Sequence, residues 1–582
     1  MRLGIDGQDE EETLVLSISQ AVPGATMPVA ARETVILPPL DLGRGKAEFP
    51  PPRFQVGRKR LLFAGGVLCL IALLMVFYIR TLPGHAGPSS QSTLTPGILS
   101  HPDFPRGIGA FKAPNGELIG LSDGSYAFDT GPDRSDRDLK TQASMNFLKG
   151  DSSVAASLWE EAVAEDSNDA EALIYREDQR VLGSGLPYIT FVLGTSFAAP
   201  LPNYSNRDIL QGAYIAQKDY NDHALLPGQT MVRLLIARSG SEAVYTKTIA
   251  QLIVQAAQAD KTIVGVLGWA TSTRTLDAYP ILTQAKIPMV SHSATGDTLT
   301  GVSPYYFRIV PPNSVQAQAG AQYASQALHA GKVVAFEDPT DEANVSSVND
   351  FTNQFKAEGH QVVKVEDFTT GKTTNFPQLL NDALRYQPDL LYMPATSPYD
   401  TFALLKLLPT KGPFAGLDVL SGDAAYSLVS TPSPITTFPN FDRLRFTSLS
   451  DPDIWIRVNH AKQTPPFFSE YAQAYDPHAQ YPGRYGYSRT DAYTMLSYDV
   501  MQVFLVSSSA LLNEHKAVTP RTLQQQLEKI TVANPIQGVA GQIAFNSQHD
   551  PVNKIIVVLR ISSQGYTQID GVQGCFFSGC AA

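Results

Sequence analysis

Cysteine is nearly missing from this chain, with three in 582 residues, too few for a disulfide scaffold or a cysteine-based metal centre. Charge is also sparse, at 17% of residues, and its balance is acidic, with a net charge of −11. The folded part carries no concentrated basic face, so no nucleic-acid partner is expected. The ten histidines form no HExxH or comparable metal-ligand spacing, and no GxSxG nucleophile elbow occurs. Gly371, Lys372, Thr373 and Thr374 mimic the end of a phosphate loop, but Glu366 stands where its leading glycine is needed. These absences point away from an enzyme, a metal or a cofactor. The hydrophobic share of 43% is that of an ordinary globular protein, and the length allows two or three domains.

One long apolar run is present. Residues 61–79 (LLFAGGVLCLIALLMVFYI) are uncharged over 19 positions, which as a helix spans roughly 28 Å, about one hydrocarbon core. Arg58, Lys59 and Arg60 precede the run and only Arg80 directly follows it. The basic flank stays in the cytoplasm, so the C-terminal part is exported. The run ends in the bulky Phe77, Tyr78 and Ile79, and Leu68 precedes Cys69. An uncleaved single-pass anchor therefore fits better than a cleaved or lipoprotein signal. Residues 1–60, with Asp9, Glu10, Glu11 and Glu12 and the run Pro50, Pro51, Pro52, read as a disordered cytoplasmic segment. Residues 80–136 read as a linker and small extracytoplasmic segment.

From residue 137 to 183 the pattern is helical. Ala143, Phe147, Ala155, Trp159 and Ala162 recur at helical spacings, with breaks at Gly150-Asp151 and at Asp166-Ser167-Asn168. The segment resembles a single tetratricopeptide-type hairpin plus one further helix, serving as a structural cap or stalk or as a docking module. Between 187 and 570 short β-branched runs alternate with amphipathic stretches. The runs are Tyr188–Leu193, Met231–Ala237, Thr262–Leu267, Ile287–Ser291, Lys332–Phe336 and Asp389–Met393; Ile209–Asn221, Ala243–Ala259 and Ser314–Ala330 read as helices. Such alternation implies an α/β fold with right-handed crossovers and parallel sheets, and its extent implies two lobes.

Several of these segments carry a resemblance. NRDILQGAYIAQKDYN (206–221), VGVLGWATSTRTLDAYPILTQAKIPMVSHSATGDTL (264–299), YYFRIVPPNSVQAQAGAQY (305–323), GKTTNFPQLLNDALRYQPDLLYM (371–393) and QGVAGQIAFNSQHDPVNKIIVVL (537–559) stand in the order found in leucine/isoleucine/valine-binding-type periplasmic binding proteins. Residues 187–570 are similar to that family. The resemblance implies a two-lobed type I periplasmic-binding-protein fold, with lobe 1 about 187–310 and 446–535 and lobe 2 about 311–445 and 536–570. Chain crossings are expected near 308–313, 443–449 and 533–538.

In that family a free amino acid binds between the lobes, its carboxylate on hydroxyls and backbone N–H groups and its amine on an acid. Ligands of parallel sheets sit at the carboxyl ends of strands, where helix N-termini attract anions. By resemblance Ser272 and Thr295 bind the carboxylate, Ser293 and Ala294 line the same loop with the Ser293 carbonyl receiving the amine, and Asp423 binds the amine. For each Ser or Thr the plainer alternative is helix N-capping, and for Asp423 a turn cap. The chain departs from the family where Glu342 occupies the position of a covering aromatic ring, which Tyr399 could replace, and where Trp269 and His292 stand beside the cleft. The ligand expected is an amino acid or similar zwitterion. The partner is an ABC-type permease or, alternatively, a membrane sensor that reads the closed form; a scaffold with a degenerate cleft is the third reading. In the tail, 571–582, Cys575 and Cys580 either close a small loop or remain free thiols.

Overall fold

The apolar runs become strands and the amphipathic stretches between them become helices. The computed structural model describes residues 107–197, 204–429, 435–458 and 463–577. The expected membrane anchor at 61–79 and the cytoplasmic segment 1–60 lie outside the described residues. Cys575 takes part in a disulfide, while Cys580, the partner that the tail's spacing offers, also lies outside them.

The chain first lays down β1 (Gly109–Lys112), β2 (Leu118–Ser122), α1 (Arg137–Leu148), α2 (Ser152–Glu165) and α3 (Ala170–Ser184). It continues through β3 (Tyr188–Thr195), α4 (Tyr204–Asp222), β4 (Met231–Arg238), α5 (Tyr245–Ala259), β5 (Ile263–Leu267), α6 (Ser272–Gln284), β6 (Met289–Ser291) and β7 (Tyr306–Arg308). These strands form the first lobe's sheet in the order β1-β2-β4-β3-β5-β6-β7, parallel from β4 to β7. All eight residues of β4 are buried, as befits a strand covered on both faces.

The second lobe runs through α7 (Asn313–Gln326), β8 (Lys332–Glu337), α8 (Glu342–Ala357), β9 (Gln361–Asp367), α9 (Phe376–Leu384), β10 (Leu390–Met393), α10 (Pro398–Leu407), β11 (Asp418–Ser421) and β12 (Leu444–Ser448). The chain then returns to lobe 1 with α11 (Ile454–Arg457), α12 (Phe467–Tyr475), α13 (Ala492–Asn513) and α14 (Pro520–Leu527). A hairpin of β13 (Ile536–Gly538) and β14 (Gly541–Ile543) leads to β15 (Ile556–Ile561) and β16 (Thr567–Gln573). The second sheet has the order β16-β15-β12-β11-β10-β8-β9.

Three expectations need correction. Residues 109–122, within the stretch read as a linker and small extracytoplasmic segment, form an antiparallel hairpin that joins the first sheet through β2 and β4. Strand β12 belongs wholly to lobe 2, so the lobe boundary expected at 445/446 moves to after Ser448, within the crossing expected near 443–449. The third crossing comes after Asp550 rather than at 533–538. Val539 and Ala540 donate their N–H groups to Asp499 of α13 (2.7 and 2.9 Å), and Asp550 pairs with Arg308 of β7 at 2.5 Å. The sequence does not mark these late boundaries, because short strands look alike whichever lobe receives them.

Helix α13 is long and apolar enough to cross a membrane, yet most of it is buried inside lobe 1. It crosses α4 so closely that a Cβ on Gly212 would lie 2.1 Å from the Thr494 carbonyl oxygen. The α1–α3 segment is welded to lobe 1 by charge. Lys140 is fully buried and reaches Asp169 and Glu171, and Arg134 pairs with Asp129 at 2.8 Å. Arg207 of α4 closes the junction on Asp129 (2.8 Å) and Asp133 (2.5 Å). Burial opposes the ionisation of Asp129, but Arg134, Lys140 and Arg207 outweigh it and hold its carboxyl well below the usual range.

Candidate functional site

Loops at the carboxyl ends of both sheets face one another. From lobe 1 come the turns after β5 and β6; from lobe 2 come the turns after β10 and β11 and the first turns of α7 and α8. The lobes touch directly. The Asn313 N–H donates to the Thr295 carbonyl (2.7 Å), and the Ser314 N–H and hydroxyl donate to Asp297 Oδ1 (3.2 and 2.7 Å). Ser346 of α8 donates to Asp297 Oδ2, and the Thr298 hydroxyl donates to Glu342 at 3.3 Å. Between the lobes remains a cavity of about 50 Å³, small beside the roughly 300 Å³ where pockets for small molecules begin.

Thr295 and Asp423 meet on this cleft. Asp423 opens the turn after β11, accepts the Gln316 amide N–H at Oδ1 (2.9 Å), and accepts the Tyr493 hydroxyl at its carbonyl (3.1 Å) and more loosely at Oδ2 (3.4 Å). It keeps some exposure to the cleft, yet burial among protein atoms pushes its carboxyl up to about 6, against the pull of these donors. Among the described residues no lysine, arginine or histidine lines the cleft to hold it down.

Ser272 and Ser293 do bracing work in the structure. The Gly296 N–H donates to Ser272 Oγ (2.9 Å), and the Ser293 hydroxyl donates to the Ala270 carbonyl (3.0 Å), so both tie the β5 turn to the β6 turn. The Ala294 N–H is taken by Ser291 Oγ at 3.0 Å. Arg308, fully buried, steadies the same loop through the Gly296 carbonyl (2.8 Å) and the Thr300 hydroxyl (2.6 Å).

The residues read as flanking the ligand fare differently. Trp269 is entirely buried in the lobe 1 core, its indole N–H shared between the Thr195 carbonyl and Ser239 Oγ, and it does not line the cleft. His292 is likewise buried; desolvation lowers it to about 3 and keeps it neutral. Tyr399 is 66% exposed at the start of α10 and covers nothing in the cleft. The ring at the site is instead Tyr392 of β10, stacked on Phe351 at 3.9 Å. Glu342 stands exposed on the inter-lobe lip. Sequence reading missed Asn313 and Gln316, which line the cleft from the first turn of α7; their i, i+3 spacing, which puts both on one helix face, was the available signal. A larger groove of about 900 Å³ lies where α2 and α3 meet α4 and α12. It is away from the strand ends, and its Asp222, Asp219 and Glu160 are already paired with Lys218, His223 and Arg176.

The profile of one family, described as periplasmic binding protein, matches residues 195–565. The chain belongs to the periplasmic binding proteins. That family consists of extracytoplasmic solute-binding proteins, and the structure has its two-lobed type I fold. Among solved structures, the branched-chain amino acid transporter substrate-binding protein LivJ from Streptococcus pneumoniae, in complex with isoleucine, is similar with a TM-score of 0.52 at 19% identity, over 66% of this chain and 99% of that one. The leucine-binding protein LivK from Thermotoga maritima gives 0.52 at 21% identity over the same shares. A solute-binding protein of an ABC transporter from R. palustris, in complex with benzoate, gives 0.52 at 15%, covering 67% and 97%. No curated protein gives a significant sequence match.

Proposed function

We propose that this periplasmic binding protein is anchored in the membrane by residues 61–79 and captures a small amino-acid-like ligand between hinged lobes, for delivery to an ABC-type importer. The observation that carries the reading is the meeting of Thr295 and Asp423, from opposite lobes, on one cleft at the carboxyl ends of both sheets. Thr295, with Ser272, Ser293 and Ala294 bracing its loop, takes the carboxylate end, and Asp423 takes the ammonium. Support comes from the neighbours: LivJ was solved with isoleucine and named for branched-chain amino acid transport. Ligand held by one lobe recruits the other and shifts an open–closed equilibrium by its differential affinity. A micromolar ligand has about 8 kcal/mol available for this.

Calorimetric titration of the full chain with the proteinogenic amino acids tests the reading. At least one should bind saturably, and Thr295→Val and Asp423→Asn should each weaken it. Unchanged affinity in both variants would remove the site. The small cavity and the direct bonds between lobes favour a second reading, a scaffold whose cleft takes no ligand; a broad metabolite thermal-shift screen without a hit would select it.

A further inference from the structure

The cleft holds one buried acceptor that no described residue uses. Gln316 is 6% exposed and lines the cavity, and its Oε1 has no hydrogen-bond partner. The amide cannot be turned to relieve this, because its Nε2 faces the Asp423 carboxylate at 2.9 Å and a reversed amide would set oxygen against oxygen. A buried polar atom left unpaired in a native fold calls for an explanation, and a missing ligand is one.

Three neighbouring donors are already committed. Asn313 Nδ2 donates to the Ala343 carbonyl (3.2 Å), the Ser347 hydroxyl to the same carbonyl (2.9 Å), and the Thr396 hydroxyl to Asp341 (2.6 Å). The cleft offers two neighbouring acceptors, Gln316 Oε1 and Asp423 Oδ2, the latter with only the 3.4 Å contact to Tyr493, while the Thr295 hydroxyl lines it from lobe 1. An ammonium has three N–H donors and no acceptor, which complements such a pair. Space sets the second condition. The cavity of about 50 Å³ is walled by Ala317, Ala343, Pro394 and the Tyr392 ring, and Tyr392 is fixed by its stack on Phe351.

We propose that Gln316 Oε1 and Asp423 form a two-acceptor seat for a small primary ammonium ligand of glycine or alanine size, and that Gln316 determines specificity by filling the space a branched aliphatic side chain would need. This rests on the solute-binding reading above. The side chain of Gln316 acts twice: its oxygen accepts from the ligand, and its bulk closes the room beside Ala317.

The test is calorimetric titration of the full chain with glycine, alanine and leucine, and with methylammonium and acetate as single-ended probes. Glycine or alanine should bind at least ten-fold tighter than leucine, and methylammonium should compete more strongly than acetate. Gln316→Met, which keeps the bulk and removes the acceptor, should weaken glycine at least ten-fold; Gln316→Ala should bring leucine level with glycine or ahead of it. Leucine binding as tightly as glycine to the unaltered chain overturns the proposal while leaving the solute-binding reading intact, and needs no variant to fold. Gln316→Met with unchanged glycine affinity overturns the role of the oxygen. If no amino acid binds at all, the solute-binding reading falls and the proposal with it.

Discussion

Two acidic sites, one at the edge of lobe 1 and one in the inter-lobe cleft, behave in opposite ways. At the junction of the helical segment with lobe 1, Asp129, Asp133 and Asp169 face Arg134, Lys140 and Arg207, and all three carboxyls are held below their ordinary range. In the cleft, Asp423 faces amide and hydroxyl donors but no cation, and burial pushes it up to about 6. The same residue type is a structural rivet where counter-charge is built in, and stands without a counter-ion among the described residues where it is not. Where cations already satisfy the carboxylate, as at Asp129 and Asp169, little is left for a ligand to gain.

The largest effect should come from unpairing the junction. Lys140→Met strands Asp169 and Glu171 in the interior, and loss of one partner of a buried network costs about 3–5 kcal/mol. Denaturant unfolding of the full chain measures it, and a loss under about 1 kcal/mol would break the contrast. Asp423→Asn should do the reverse, leaving stability within about 1 kcal/mol while lowering ligand affinity by about 2–5 kcal/mol. Calorimetry with glycine alongside the unfolding curve reads both.

The pH windows separate the two clusters further. Asp423 must be ionised to hold an ammonium, so affinity should fall about ten-fold as pH drops from 7 to 5 through its value near 6, and Asp423→Asn should erase that dependence. As a raised carboxyl, Asp423 binds its proton more tightly in the folded state and favours folding as pH falls from 6 towards 4. Asp129 and Asp169 are depressed, so the stability they contribute is intact above the unfolded value near 3.9 and is lost only as pH falls below it. A binding transition that coincides with unfolding would merge the two and sink the distinction. The smallest effect belongs to Tyr399→Ala: at 66% exposed and away from both clusters, it should change stability by less than about 0.5 kcal/mol and leave affinity alone.

Much of the fold could be read before folding. Met231–Ala237 and Lys332–Phe336 are apolar on both faces and each lies within one residue of an observed strand. The hairpin Gly109–Ser122 could not be read, because GAFK and LIGLS are too short for periodicity to register and gain their partner only when Gly120, Leu121 and Ser122 meet Arg238, Ala237 and Ile236. In the site, Thr295 and Asp423 were reached through resemblance. Trp269 and Tyr399 were misplaced, because a ring one or two residues from a loop has no direction until the backbone is built, and Trp269 turns inward over Gly194.

By itself the sequence determined the alternation of strand and helix, the two lobes and the strand ends that border the cleft, since hydrophobic period and turn residues are local properties. Only the tertiary structure decided that Gln316 faces Asp423, that the junction is closed by Arg207, and that the cleft is nearly full. Those depend on atoms 78 to 107 residues apart in the chain being brought within hydrogen-bond reach, and no local pattern encodes such a distance.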